Sequence, residues 1–295
     1  MIYLEKFKLA SGADETSFIL SYPKQFEMQC YENNNAYPFK LFPDRGINTL
    51  EFQPITILYG GNGSGKSTIL NVIAEKLGLI RTSPYAKSPC MPDYLSLCEE
   101  KIADRVKKIP PESRIITSDD VFDFLLGVRL ANIEIDKARE ELFLEYDRES
   151  DSLMKPLSSI DEIEDFKRRL DVRRQSKSKF VASRIPKDLS GKSNGESAYI
   201  YFTKKIGENA LYLLDEPENS LSPKLEVELA RFLSDSARFF GCQFIISTHS
   251  PILLGMEGAK VYDLDSTPMV ERNWYELENV KIYKEFFDRN KDKFV

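Results

Sequence analysis

A glycine-rich segment early in the chain contains the first residues with a recognisable chemistry. Residues 60–67 read Gly-Gly-Asn-Gly-Ser-Gly-Lys-Ser and satisfy the pattern G-x-x-x-x-G-K-[ST] in full. Glycines let the backbone turn tightly and point its N–H groups at phosphate oxygens, and a following helix adds its positive N-terminus. In such a loop the lysine reaches the β- and γ-phosphates and the last hydroxyl binds Mg²⁺. The phosphate-binding residues expected are Gly60, Gly61, Asn62, Gly63, Ser64, Gly65, Lys66, Ser67 and Thr68, with Ser67 also a metal ligand.

Two adjacent carboxylates and the single histidine of the chain follow two other apolar runs. Asp215 and Glu216 come after Leu211–Leu214, and His249 comes after a run that starts at Gln243. Ligands of open α/β sheets sit at the carboxyl ends of the strands. We therefore expect Asp215 to hold Mg²⁺ through water and Glu216 to act as general base on the attacking water. A lone histidine is often only a core or surface group, but after a strand beside Asp215 it suits contact with a γ-phosphate or with water.

These residues need buried strands that deliver them to one edge of a sheet. Short apolar, β-branched runs predict such strands, and apolar residues at helical spacing predict a helix directly after the glycines. The strands are expected at 54–59, 211–214 and 244–247, and the helices at 66–77, after Pro223 and after Pro251.

The first sixty residues have a different pattern, with apolar and polar positions alternating over short runs. This predicts strands joined by turns, and Asn33–Asn35 and Pro43–Gly46 have turn composition. The expected fold is therefore α/β, a P-loop fold with a mixed sheet, N-terminal antiparallel strands and one inserted helical lobe.

The inserted lobe is expected over residues 81–188 of a single domain that spans 1–295. It begins with Pro- and Ser-containing loop and becomes helical from about Asp119. Residues 133–165 are acid-rich and residues 167–187 are basic. No heptad pattern is sustained, which predicts a compact lobe and not a long coiled coil.

Composition limits the class of protein. The apolar fraction is 42%, the charged fraction is 30% and the formal net charge is −6, which is ordinary for a folded protein and gives no support to a wholly basic nucleic-acid binder. No run approaches the ~18 apolar residues that cross a bilayer, and the start is not a signal peptide. The four cysteines, Cys30, Cys90, Cys98 and Cys242, lack metal-type spacing. We expect a cytoplasmic protein with reduced thiols and no membrane partner.

The three motifs together resemble the ATP-binding cassette (ABC) ATPases. The motif sequences Asn62–Thr68, Asp215–Pro223 and Ser247–Pro251 are similar to those of the soluble RecF/SMC/OLD-like branch, and in particular to those of its small single-domain ATPases. Transporter subunits more often have threonine and aspartate where this chain has Glu218 and Ser222, so a transporter subunit is the poorer interpretation. The resemblance covers about residues 35–80 and 190–290, including the stretches Tyr37–Phe39, Trp274–Glu278 and Tyr283–Phe287.

The resemblance implies a signature motif that closes over the ATP of a second copy. The segment Lys192–Glu196 is the candidate, and it gives Ser193, Asn194, Gly195 and Glu196 as further nucleotide-binding residues. A hydroxyl and an N–H group at a helix start can bind phosphate. Leu189–Gly191 is a competing register, and a simple N-capped helix is the structural alternative.

Two features that the family implies are weaker in this chain. In the family a glutamine follows a strand between the P-loop and the signature. Arg114–Ser118 looks like that strand, but Asp119 and Asp120 follow it instead of a glutamine. An aspartate can bind Mg²⁺ through water, so Asp119 is a candidate Mg²⁺ ligand. For the adenine-stacking aromatic residue three candidates compete, and packing is the expected role of each: Tyr37, Phe39 and Phe42.

For the biological role two hypotheses of different class stay open. The first is an ATP-dependent homodimer, with ATP and Mg²⁺ as cofactors, that acts as a switch on DNA in repair or anti-phage defence. The second is a regulatory ATPase that controls a partner effector or nuclease protein without contacting DNA. The basic stretch 167–187 favours the first, but pairing with the acid-rich stretch on a solvated face explains it equally well.

Overall fold

The computed structural model describes residues 1–21, 36–85, 87–152 (backbone alone at 149–152), 176–184 and 193–294. They divide into two compact units, one formed by Met1–Phe122 with Asn194–Val295 and the other by Asp123–Ser193. The strands are β1 Leu4–Lys8, β2 Thr49–Glu51, β3 Ile55–Tyr59, β4 Glu99–Ile102, β5 Arg114–Ile116, β6 Leu211–Asp215, β7 Gln243–Ser247, β8 Lys260–Asp263 and β9 Val270–Glu271. The helices are α1 Gly12–Ser21, α2 Lys66–Leu77, α3 Met91–Leu97, α4 Ser118–Ser152, α5 Lys177–Ala182, α6 Asn194–Lys205, α7 Pro223–Phe239, α8 Pro251–Leu254 and α9 Glu278–Arg289.

The main sheet has the strand order β5-β6-β7-β3-β8-β9, and only β9 runs antiparallel to its neighbour. All five residues of β3 and of β7 are buried, as expected for parallel strands covered on both faces. The strands expected from the sequence at 54–59, 211–214 and 244–247 are therefore confirmed, as is the helix at 66–77. Because β7 lies between β6 and β3, the ends of these three strands are neighbours at one edge.

A second sheet, with order β2-β1-β4, is antiparallel and confirms the expected N-terminal strands. The prediction of strands alone over the first sixty residues was wrong at Gly12–Ser21, which forms α1. Ser11 and Asp14 explain the helix, since Asp14 accepts from the N–H and hydroxyl of Ser11 and donates its own N–H to the Ser11 hydroxyl. Pro43–Arg45 is a 3₁₀ turn that ends at a left-handed Gly46. The predicted turn at Asn33–Asn35 lies outside the described residues.

Gln243 joins the two sheets through its fully buried amide. Its Oε1 accepts from the N–H groups of Tyr3 at 2.8 Å and Leu4 at 2.9 Å, and its Nε2 donates to the Leu4 carbonyl at 2.9 Å. A buried amide is tolerated only when it is satisfied in this way. The start of β7 is thereby fixed to the start of β1. Cys90, Cys98 and Cys242 are buried free thiols, and Cys30 lies outside the described part of the chain.

The second unit contains most of α4 and the short helix α5. Phe180 and Val181 pack with Leu142, Phe143 and Tyr146. The Lys177 ammonium lies 2.6 Å from the Asp147 carboxylate and the Arg184 guanidinium 3.8 Å from that of Glu145. Acidic and basic residues thus pair within this unit where they are described. The rest of the acid-rich stretch beyond 152 and most of the basic stretch lie outside the described residues.

The second unit starts at Asp123, later than the position 81 expected for the inserted lobe. The reason is that residues 91–116 carry α3, β4 and β5, of which β4 pairs with β1 and β5 pairs with β6. These short strands have little local signal, so the sequence alone did not separate them from the helical segment. Within the described ranges, no helix combines the length and the apolar character needed to cross a membrane.

Candidate functional site

The loop between β3 and α2 adopts a shape that only glycine permits at several positions. Gly63 and Gly65 have φ values of +77° and +98°, which side chains rarely adopt. A Cβ on Gly60 would lie 2.6 Å from the Ser64 hydroxyl oxygen. The strand before the loop and the helix that starts at Lys66 are both present. The loop therefore has the strand–loop–helix context that phosphate binding by a P-loop requires.

Lys66 is nearly buried and points along the loop. Its ammonium donates to the carbonyl oxygens of Gly60 at 2.8 Å and Gly61 at 3.2 Å. Burial lowers the pKa of Lys66, and the neighbouring carboxylates of Glu216 and Asp215 oppose that shift. A buried cation held by carbonyls and carboxylates is prepared to bind an anion that enters the loop.

Lys66, Glu216 and His249 meet at the edge of the sheet, although they come from three different strand ends. The His249 Nε2 atom lies 3.0 Å from Lys66 Nζ and 3.2 Å from Glu216 Oε1. Lys66 Nζ is 3.9 Å from the same Glu216 oxygen. The expectation that the β7 strand places His249 beside the β6 strand is confirmed by the parallel pairing of Leu211–Asp215 with Gln243–Ser247.

Ser67 and Asp215 form the second pair at this edge. The Ser67 hydroxyl donates to Asp215 Oδ1 at 3.0 Å, and the Ser247 hydroxyl donates to the same oxygen. Burial raises the pKa of Asp215, while the two serine hydrogen bonds act in the opposite direction. A hydroxyl and a carboxylate oxygen side by side are the hard ligands that Mg²⁺ prefers, and Mg²⁺ usually keeps several waters and binds substrate phosphates in addition. The residues present therefore fit the expected metal.

Glu216 has a strained backbone. Its φ of 46° and ψ of 57° place it in the left-handed region, although it has a side chain and precedes Pro217. Such a conformation costs about 1–3 kcal/mol and persists only where the surroundings enforce it. The N–H of Glu216 donates to the Ser247 carbonyl at 3.0 Å, and the Asn219 amide donates to Glu216 Oε2 at 2.9 Å. The second carboxylate oxygen, Oε1, is thus the one that faces Lys66 and His249.

Glu218 holds the segment around His249 in place, a role that the sequence analysis did not predict. The sequence analysis used this residue only to distinguish the chain from transporter subunits. Its Oε1 accepts from the Thr248 hydroxyl at 2.6 Å, the His249 N–H at 2.7 Å and the Ser250 N–H at 3.3 Å. Burial raises the pKa of this carboxyl group, and these hydrogen bonds oppose the shift. One side chain from the segment after Glu216 therefore fixes the backbone on which His249 is mounted.

Asp265, just after β8, is a second residue that the sequence analysis missed. Its two carboxylate oxygens accept from the N–H of Gly61 at 2.9 and 2.7 Å. The Asp265 N–H in turn donates to Asp263, whose carboxylate pairs with the Arg272 guanidinium at 2.9 Å. The start of the P-loop, at Gly61, is therefore hydrogen-bonded to the segment that follows the neighbouring strand β8. The acidic residues at the end of a strand were the available signal, but β8 was not predicted.

Asn279, in the first turn of α9, is a third residue that the sequence analysis missed. Its amide donates to the His249 carbonyl at 2.8 Å and its N–H donates to the Tyr59 hydroxyl at 3.2 Å. The C-terminal helix is thereby connected both to the strand before the P-loop and to the histidine.

The described part of the candidate signature, Ser193–Glu196, lies at the start of α6, which begins at Asn194. A Cβ on Gly195 would meet Leu225, Ser220 and Ser222, which belong to the segment after Glu216. Nothing tests the assignment of Ser193, Asn194, Gly195 and Glu196 to a nucleotide, and it stays a prediction.

Two neighbouring aspartates lie at the start of α4. Asp120 accepts from the N–H groups of Ser83 at 2.8 Å and Thr117 at 2.7 Å and donates its own N–H to the Thr117 hydroxyl, so it forms a capping box with Thr117. Asp119 lies in the same turn, and its assignment to Mg²⁺ stays a prediction.

The three aromatic candidates for adenine stacking are placed as follows. Phe39 and Phe42 are buried and pack on Tyr94, so packing is confirmed as their role. The Tyr37 hydroxyl donates to the Thr68 hydroxyl at 2.9 Å, beside the P-loop helix.

Comparisons with known proteins give a family match over part of the candidate site and one curated relative. Residues 192–255 match the family described as AAA domain, putative AbiEii toxin, Type IV TA system. This segment contains Asp215, Glu216 and His249 and begins at the first residue of the candidate signature. One curated relative is Protein ea59 of Escherichia phage lambda, 25% identical over 257 residues. The match covers 70% of this chain, and the chain spans about half of that relative (47%).

Solved structures are similar to the chain at low identity. An Smc head domain from Pyrococcus furiosus, bound to the C-terminal domain of ScpA, has a TM-score of 0.42 at 15% identity, covering 97% of this chain and 100% of that one. The SMC head domain from Thermotoga maritima has a TM-score of 0.40 at 14% identity over 92% and 99%. A dimeric ATP-binding cassette bound to ADP and Pi has a TM-score of 0.37 at 16% identity over 77% and 88%. At these scores the likenesses say nothing about individual residues.

Proposed function

We propose that this chain binds ATP with Mg²⁺ and hydrolyses it at the edge of the main sheet. The observation that carries the proposal is the meeting of Lys66, Glu216 and His249 within 3.9 Å of one another beside a P-loop. A glycine-rich turn with no ligand does not require a buried cation, a carboxylate in a strained backbone and a histidine at one point. A reaction on a phosphoryl group can use all three, for charge, for proton transfer and for positioning.

The roles follow from the atoms that each residue presents. Lys66 binds β- and γ-phosphate oxygens in exchange for the carbonyl oxygens of Gly60 and Gly61. Ser67 and Asp215 hold Mg²⁺, which when bound neutralises negative charge on the phosphates.

Glu216 and His249 act on the attacking water and on the transferred phosphoryl group. Because the Asn219 amide holds Glu216 Oε2, Oε1 is the oxygen that takes the proton from water. His249, which is 3.2 Å from that oxygen, donates to the γ-phosphate and keeps the water in line.

The proposed assembly is a head-to-tail homodimer with two nucleotides at one interface. Ser193 and Gly195 of a second copy close over the ATP of the first, and hydrolysis releases the closure. Support comes from the position of Gly195 at a helix start, against the segment that follows Glu216. Such an arrangement completes each site only in the dimer, so we expect slow turnover by the isolated chain.

For the biological role we propose a nucleotide-driven switch in DNA repair or anti-phage defence. Support comes from the resemblance to the RecF/SMC/OLD-like branch and from the family description, which includes a putative toxin of a toxin–antitoxin system. The second candidate is a regulatory ATPase that controls a partner effector or nuclease protein. The ion pairs of Lys177 and Arg184 within the second unit favour this candidate, because cations that are already paired contribute less to DNA binding.

The test compares Glu216→Gln with Glu208→Gln, which makes the same chemical change at an exposed residue near the opposite end of β6. We expect both variants to bind a fluorescent ATP analogue, and Glu216→Gln to lose at least about 100-fold in turnover while the control keeps it. Light scattering of Glu216→Gln should show twice the monomer mass only with ATP and Mg²⁺ if the closure exists, or a further increase if a dimer is already present. Equal turnover of the two variants contradicts the role of Glu216. Binding without any change of mass or shape contradicts the closure alone.

A further inference from the structure

The C-terminal helix presents an apolar surface to solvent. Seven large apolar side chains between residues 274 and 294 are 40–67% exposed, which we call the C-terminal aromatic face: Trp274, Tyr275, Ile282, Tyr283, Phe286, Phe287 and Phe294. Three ring pairs within it are in edge-to-face contact, with centroids 5.5–6.0 Å apart. In the described part of α9 only Val280 is buried. The apolar side of the helix is therefore not covered by the part of the chain that the structure describes.

Helix geometry makes four of these side chains one continuous strip. Ile282 and Phe286, and likewise Tyr283 and Phe287, are four residues apart, so each pair lies on the same side of the helix. The charged residues of α9 occupy the other side. This is the pattern of an amphipathic helix whose apolar side should be packed against something.

The area of the face corresponds to an interface. An aromatic side chain buries about 150–250 Å² when covered, so six of them that are about half exposed, together with Ile282, offer roughly 700 Å². Monomeric proteins rarely expose apolar patches above about 300–600 Å². A stable specific interface uses about 800 Å² on each partner. The face is therefore large for a free surface and close to one half of a stable interface.

The charges around the face indicate which partner fits. Between residues 278 and 293 there are five basic and four acidic side chains. A surface so close to neutral has no strong attraction for nucleic acid or for an anionic membrane. It does suit a copy of itself, because a two-fold axis brings the same apolar strip from both subunits together and lets opposite charges meet at the rim.

We infer that the C-terminal aromatic face binds the same face of a second copy of this chain, and that this pairing does not need nucleotide. The contact differs from the ATP-dependent closure, which uses Ser193 and Gly195. It also bears on the nucleotide site, because Asn279 in the first turn of the paired helix donates to the His249 carbonyl. That last link alone rests on the proposed function.

The experiment measures the mass of the nucleotide-free chain by light scattering and sedimentation over a range of protein concentrations. Phe286→Glu is compared with Phe239→Glu, a matched control in which an exposed phenylalanine on α7 receives the same charge. We expect the wild type and the control to show twice the 33.9 kDa chain mass, and Phe286→Glu to show 33.9 kDa with unchanged circular dichroism.

A wild type that stays at 33.9 kDa at every concentration overturns the inference, whatever other molecule then binds the face. A Phe286→Glu variant that stays dimeric, together with a dimeric Ile282→Glu variant, also overturns it. ATP binding and turnover are measured on the same samples. A nucleotide-free dimer that hydrolyses no ATP would leave the interface in place and refute the proposed function separately.

Discussion

Replacing Glu218 by alanine removes an acceptor that three donors around His249 share. The Thr248 hydroxyl and the His249 N–H are held at 2.6 and 2.7 Å, and the Ser250 N–H at 3.3 Å, so the first two bonds dominate. A buried donor left unpaired costs about 1–3 kcal/mol, which gives roughly 2–6 kcal/mol for two. Release of a buried carboxylate offsets part of that cost. We expect Glu218→Ala to lose about 1–3 kcal/mol in the free energy of unfolding.

Glutamine at the same position separates the hydrogen bonds from the charge. Its carbonyl oxygen can accept the same donors, so we expect Glu218→Gln to stay within about 1 kcal/mol of the wild type. Since burial raises the pKa of Glu218 above its ordinary value of 4.5, the folded wild type holds this proton more tightly than the unfolded chain. The wild type therefore loses stability as pH rises through the folded pKa, whereas the glutamine variant has no such loss. The stability of Glu218→Gln relative to wild type should rise with pH above 4.5.

Denaturant unfolding at several pH values measures the change in stability, and steady-state ATP hydrolysis measures the change in turnover. We expect Glu218→Ala to lose about 10–100-fold in turnover, because His249 is no longer held in place, and Glu218→Gln to keep most of it. If alanine leaves both stability and turnover unchanged, the three hydrogen bonds do not position His249. If glutamine is as damaging as alanine, the charge matters and the geometry does not.

Three further substitutions test other parts of the site. Gly65→Ala forces a side chain into φ +98° with its Cβ 3.3 Å from Phe42, and we expect a loss of about 1–3 kcal/mol in thermal unfolding together with weaker ATP binding. Asp265→Ala frees the Gly61 N–H, so titration with an ATP analogue should show weaker binding by about 5–10-fold, whereas Asp265→Asn keeps one acceptor and most of the affinity. Asn279→Ala should lower turnover by about 3–10-fold with ATP affinity unchanged, since it acts on His249 and not on the loop; a change in affinity alone would contradict this role.

The parts of the fold that the sequence predicted are those with a strong local pattern. The buried strands that end at Tyr59, Asp215 and Ser247 are short apolar runs. The helix 66–77 has helical apolar spacing and directly follows the glycine-rich motif. Because parallel strands present their carboxyl ends at one edge, the meeting of the three motifs followed from strand assignment.

The parts that it did not predict depend on partners far away in the chain. Gln243 is 239 residues from Leu4, and Asp265 is 204 residues from the Gly61 N–H that it accepts. Asn279 is 30 residues from His249 and reads as an ordinary polar position at a helix start. The helix α1 is a different case, because the Ser11–Asp14 capping box is local and was available in the sequence.

The two ends of β7 have an implication for motion. At its start, the Gln243 amide holds the β1 backbone, and just beyond its end, Glu218 holds the turn around His249. A strand fixed at both ends, and buried throughout, should exchange its amide hydrogens with water only when the whole unit unfolds. Any rearrangement during the nucleotide cycle should then occur in elements other than this strand. Amide hydrogen exchange should therefore be slow in β7 whether or not nucleotide is bound, and any change in exchange on nucleotide binding should occur in other segments.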